Sequence, residues 1–72
     1  MIKIIYSLSD ANKSDGRFLT ALSSFGSKVA VHFKDVGVQT KIVVKVKTAA
    51  DMREVRNYVV SIAGVKPVKI ED

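Results

Sequence analysis

The chain has 72 residues, 47% of them hydrophobic and 26% charged, with no cysteine or tryptophan, one proline, and a formal charge of +5 from 12 basic and 7 acidic side chains. A chain of this length makes a single domain, residues 1–72, too small for two lobes around a deep catalytic cleft. Lack of cysteine excludes a disulfide framework, a cysteine-based zinc site and a thiol nucleophile, so the hydrophobic pattern or a partner subunit must support the small core.

The apolar start, Met1 to Leu8, carries Lys3 and runs into a polar stretch. It is too short for a signal-peptide core or a membrane span, and a soluble, cytoplasmic protein is expected. Within it Ile2, Ile4, Tyr6 and Leu8 alternate with other residues, the pattern of a strand with one apolar face. Ser9 to Ser14 is polar and aperiodic, a loop. From Asp15 the spacing becomes helical: Phe18, Leu22 and Phe25 share a stripe with Leu19 beside them, Ser14 is placed to cap the start and Gly26 to stop the end.

Alternation returns at Ser27 to Lys34, with Val29, Val31 and Phe33 facing one way and Lys28, Ala30, His32 and Lys34 the other. Asp35-Val-Gly37 reads as a turn, and Thr40 to Lys47 alternates again, with Ile42, Val44 and Val46 against Lys41, Val43, Lys45 and Lys47. Thr48-Ala-Ala-Asp51 has the form of a capping box. It opens a second helix with Met52, Val55, Val59 and Ile62 on one face, which Gly64 ends. Val65 to Ile70 reads as a last short strand, and Pro67 confines it to a sheet edge.

The order is thus β-α-β-β-α-β. Two right-handed crossovers sharing one hairpin make an α+β, ferredoxin-like sandwich: a four-stranded antiparallel sheet, order 4-1-3-2, with two helices on one face. The opposite face collects Lys3 and Ile5, then Lys28, Ala30, His32 and Lys34, then Lys41, Val43, Lys45 and Lys47, and finally Lys69. Seven of the nine lysines fall there. The acids are assigned elsewhere: Asp10 and Asp15 to the first loop, Asp35 to the turn, Asp51 and Glu54 to the second helix, Glu71 and Asp72 to the tail.

Like charges on adjacent strands repel, so a face that keeps them suggests an anionic partner. Nucleic acid fits best, because a row of ammonium groups neutralises phosphates and releases counterions. The residues expected to do this are Lys3, Lys28, Lys34, Lys41, Lys45 and Lys47. Ile5 and Val43 hold the central outward positions where RNA-binding sheets carry rings, so backbone contact rather than base stacking is expected. The plainer alternative is that lysine keeps the wet side of a strand soluble and guards its edges. Ile5, Ala30 and Val43 could instead form an apolar row for an acidic protein partner or a second copy, and pairing through an edge strand offers another route to a homodimer.

Chemistry beyond binding is thinly represented. His32 is the sole histidine and has lysines for strand neighbours, without the acid or nucleophile that a catalytic base requires. Neither a metal site nor a cofactor site is expected, because no second strong ligand lies near it. The four glycines are scattered at element ends, so no phosphate-cradling loop exists. Asp10 and Asp15 do not form a carboxylate pair. The reading is of a non-enzymatic module.

Asp15-Gly-Arg-Phe-Leu19 after a first strand, and Ile62-Ala-Gly-Val-Lys-Pro-Val-Lys-Ile70 leading into a last one, resemble small ACT-type regulatory domains over most of the chain. That resemblance implies the same fold and an amino-acid ligand bound at a dimer interface, which would involve Asp15 and Gly16. The first helix read here is about a turn shorter than in such domains. A regulatory or protein-interaction module, dimeric and without membrane attachment, is therefore the alternative to nucleic-acid binding.

Overall fold

A computed structural model describes residues 1–9 and 15–72. Most of the polar loop read at Ser9–Ser14, with Asp10 and the Ser14 cap, lies outside the described residues. The elements are β1 (Ile2–Ser9), α1 (Arg17–Ser23), a 3-10 turn (Gly26–Lys28), β2 (Ala30–Val36), β3 (Gln39–Val46), α2 (Ala49–Ala63) and β4 (Lys69–Glu71). The strands form one antiparallel sheet in the order β2-β3-β1-β4, with the first and third strands central, as the sequence reading expects.

The β1–β3 pair runs from Ile2 opposite Val46 to Ser9 opposite Gln39. Because side chains alternate across a strand, this register aligns Ile4, Tyr6 and Leu8 with Ile42, Val44 and Val46 on one side. There they join Phe18, Ala21 and Leu22 of α1 and Val55 and Val59 of α2 in one buried cluster. Both helices thus cover the same side of the sheet. The Thr48 hydroxyl accepts the Asp51 N–H at 3.1 Å, so the cap of α2 forms as expected. Gly64 closes the helix at φ 69°, a left-handed conformation that a side chain would resist, and its N–H donates to the Val60 carbonyl at 3.0 Å.

Several details differ from the alternation pattern. Gly26, at φ 55°, turns the chain left-handed, and the Lys28 N–H then donates to the Phe25 carbonyl at 3.1 Å. This winds residues that alternate in sequence into a 3-10 turn and delays β2 to Ala30. The hairpin closes through the two-residue turn Gly37-Val38, because Val36 pairs with Gln39. Asp35 therefore belongs to the strand, where it accepts the Thr40 hydroxyl at 2.8 Å, and not to the turn.

Leu19, Phe33 and Ile62 are exposed rather than core. Leu19 sits about 100° around the helix from Phe18, which carries it off the stripe set by Phe18, Ala21 and Leu22. Phe33 faces the helix layer from edge strand β2, where it lines an open hollow with Leu19 and Leu22 of the seven-residue α1, and it remains 56% exposed. Near the end of α2 it is Ala63, not Ile62, that packs against the core.

Tyr6 lies edge-on to Phe18, with ring centroids 4.9 Å apart. Its hydroxyl is buried and has no hydrogen-bond partner among the described residues. Burial pushes the phenol up to about 12, against the opposing pull of the Arg56 charge. In the unfolded chain the same group ionises near pH 10. Between these values the unfolded state has lost a proton that the folded state retains, so stability declines as pH rises from 10 towards 12. Tyr6→Phe is expected to keep or slightly raise stability at pH 7, by up to about 1 kcal/mol, and to flatten the decline above pH 10. Urea unfolding at pH 7 and pH 11 measures both, and a clear loss at pH 7 would show that the hydroxyl has a partner.

Candidate functional site

The side of the sheet away from the helices carries the other half of each strand's alternation. Strand register arranges these residues in rows. The first runs Ala30, Lys45, Lys3, Glu71, and the second His32, Val43, Ile5, Lys69. The third runs Lys34, Lys41, Ser7, and the fourth Val36, Gln39, Ser9. Lys3 is thus directly opposite Lys45, and Lys34 directly opposite Lys41, with an apolar centre between the two pairs.

Lys3, Lys34 and Lys41 are exposed and Lys45 is partly buried. Lys45 is flanked by Ala30 and Lys3, so its stem lies on the sheet while its ammonium group can reach water. Directly opposed like charges on adjacent strands are destabilising. The described acids do little to offset them, since Glu71 alone in the four strands lies on this face. Its carboxylate meets the Lys69 ammonium at 3.4 Å, with both side chains well exposed, an arrangement worth little in water. Nearby, the Ser7 hydroxyl donates to the Gln39 side-chain oxygen at 2.8 Å. A shallow hollow beside this pair is lined by Ile5, Ser7, Lys41, Val68 and Lys69.

Of the lysines expected to act together, Lys3, Lys34, Lys41 and Lys45 share this face. Lys28 does not. The 3-10 turn places it beside Phe25, Glu54 and Tyr58, in a hollow of the helix layer. Lys47 is exposed in the bend after β3, one residue beyond the paired rows. Lys69 does lie on the face, opposite Ile5.

The expected row of Ile5, Ala30 and Val43 is also corrected. Ile5 and Val43 are opposite one another, but the third place belongs to His32, because the hairpin register sets Ala30 against Lys45. Ile5 is only 9% exposed and offers little surface to a partner. Glu71, assigned by sequence to a tail, pairs with Lys3 across the sheet. The signal was present: counting two residues on from Lys69 puts Glu71 on the same side, once the last strand is extended past Ile70.

Asp15 and Gly16 lie apart from this face. The Asp15 carboxylate accepts from Arg17 Nε at 2.6 Å. Gly16 occupies the cap position of α1 and, having no side chain, supplies no capping acceptor. Among the described residues no group of three or more His, Cys, Asp or Glu side chains could hold a metal ion. Nor is any described helix long and apolar enough to cross a membrane.

Compared with models of known protein families, with curated proteins and with solved structures, the chain matches none.

If the two lysine pairs repel as their register requires, reversing one charge should relieve the strain. Lys41→Glu, which places a carboxylate opposite Lys34, is expected to raise stability by about 0.5 kcal/mol at low salt. The gain should shrink as salt screens the pair. Thermal unfolding across a salt series tests this, and a loss of stability at low salt would count against the repulsion.

Proposed function

We propose that this chain is a ferredoxin-like, non-catalytic binding module whose open sheet face engages the backbone of nucleic acid. The observation that carries the reading is the register: Lys3 against Lys45 and Lys34 against Lys41, held side by side on a face to which the four described strands contribute one acid, Glu71. A polyanion converts that repulsion into attraction, releasing one condensed counterion for each phosphate neutralised. The strand order β2-β3-β1-β4 and the shared core of the two helices agree with the ferredoxin-like arrangement, which leaves this face bare.

Binding of labelled single- and double-stranded nucleic acid, titrated with salt, tests the proposal. Lys41→Ala combined with Lys45→Ala is expected to weaken binding several-fold. It should also make the dependence of log affinity on log salt shallower by about 1.4 for a single strand, the slope contributed by two lysines. An absence of binding at low salt, or binding indifferent to the double substitution, would end this reading.

A second reading, pairing of two copies through β2, is favoured by a different observation. Apart from Val31, which packs against the core, this edge strand is exposed, and Phe33 on one face and Val36 on the other are each 56% exposed. Large apolar side chains on a sheet edge invite pairing with another strand. Such a dimer would leave the lysine rows free. Light scattering should then report a dimer that Phe33→Lys converts to a monomer, and a native chain that is monomeric throughout would remove this reading.

A further inference from the structure

The middle row of the open face holds, at its β2 end, a group that nucleic-acid backbone alone does not use. Register places the exposed His32 opposite Val43, and Val43 opposite Ile5, so an imidazole and two aliphatic side chains occupy the row between the two lysine pairs, with Lys69 at its far end on β4. We propose that this face takes a single-stranded nucleic acid, its phosphates on the Lys3–Lys45 and Lys34–Lys41 pairs and a base laid on the His32 ring between them. The inference rests on the polyanion reading above and names the form of nucleic acid.

Charge and shape both select a single strand. From Lys41 to Lys45 along β3 is a span of four residues, roughly 13 Å at the rise of an antiparallel strand. That exceeds the Debye length of about 8 Å at physiological salt, so each pair acts as a separate anchor with a gap between. A duplex turns its phosphates outward and keeps its bases stacked inside, so it would bridge the gap without touching what fills it. A single strand exposes the flat face of each base, and imidazole is one of the rings on which bases stack. Val43, partly buried beside the ring, gives that base an apolar floor. His32 lies on edge strand β2, where the approach from the open side is not obstructed by either helix.

The test uses the whole chain and fluorescent oligonucleotides: an unstructured DNA strand, an unstructured RNA strand, and the duplex of each. His32→Ala is expected to weaken single-strand binding about fivefold, the lower end of what one base–ring stack contributes, and to leave duplex binding unchanged. His32→Phe should restore the single-strand affinity, because it keeps a ring without the nitrogen atoms. His32→Lys, which supplies charge without a ring, should not restore it. Equal weakening of single-strand and duplex binding by His32→Ala, recovery with lysine in place of phenylalanine, or a native preference for duplex would each overturn the inference. Failure here is separable from failure of the polyanion reading. If the paired alanine substitutions at Lys41 and Lys45 weaken binding while His32→Ala changes nothing, the lysine rows stand and the stacked base does not. All three His32 variants alter an exposed edge-strand side chain, and circular dichroism of each is the check that it folds.

Discussion

The pairing of β1 with β3 is the contact on which the other parts of the molecule depend. Its register runs through eight residues of each strand, from Ile2 against Val46 to Ser9 against Gln39. It settles two things together: which side chains meet the helices, and which lysines stand opposite one another. A slip of one residue would exchange the two faces of whichever strand moved. Ile4, Tyr6 and Leu8, all buried, would be turned to water, and Lys3 would be driven toward Val55 and Val59. The hydrophobic gain of one face therefore holds the other in a charge pattern that, considered alone, is unfavourable. The basic surface is maintained by the core behind it.

Much of this arrangement was legible in sequence because strand alternation is a strict period of two, and the central strands keep it without a break. Ile42, Val44 and Val46 are buried as their spacing demands, and Thr48 caps α2 through the hydroxyl that the capping box supplies. Where the reading failed, local backbone geometry or finite cover intervened. Lys28 shares the parity of Ala30 in sequence, yet the 3-10 turn after Gly26 removes it from the sheet. Phe33 has the right parity for the core, but parity says nothing of how far a short α1 extends over an edge strand. Turn length was the remaining gap. Taking Asp35 into the turn hides the register, and with it the fact that His32, rather than Ala30, stands beside Val43.

The two edges of the sheet are managed differently. β4 is short and follows Pro67, and a chain with few residues at its margin presents little template to another strand. β2 is longer and carries His32 and Lys34 on its open side, with Phe33 on the other. Charge on one face, with Val36 at its end, and the exposed ring of Phe33 on the other give this strand two distinct capacities. The lysine rows involve only its open side, and the helix-side surface is independent of them.

The shortness of β4 has a further consequence. Three paired residues, together with the Val68 N–H donating to the Ile5 carbonyl at 2.7 Å, fasten this strand to β1. Segments tied by so few bonds open at a small fraction of the free energy of global unfolding. Lys69 and Glu71 ride on this segment together, so each opening carries their ion pair away from Ile5 and Lys3 and uncovers Ile5. The electrostatic potential of the face is thus not a fixed property of the fold but an average over closed and frayed forms. Because the pair carries no net charge, its departure leaves the sum of charge on the face unchanged and shifts the centre of that charge toward the Lys3–Lys45 and Lys34–Lys41 pairs.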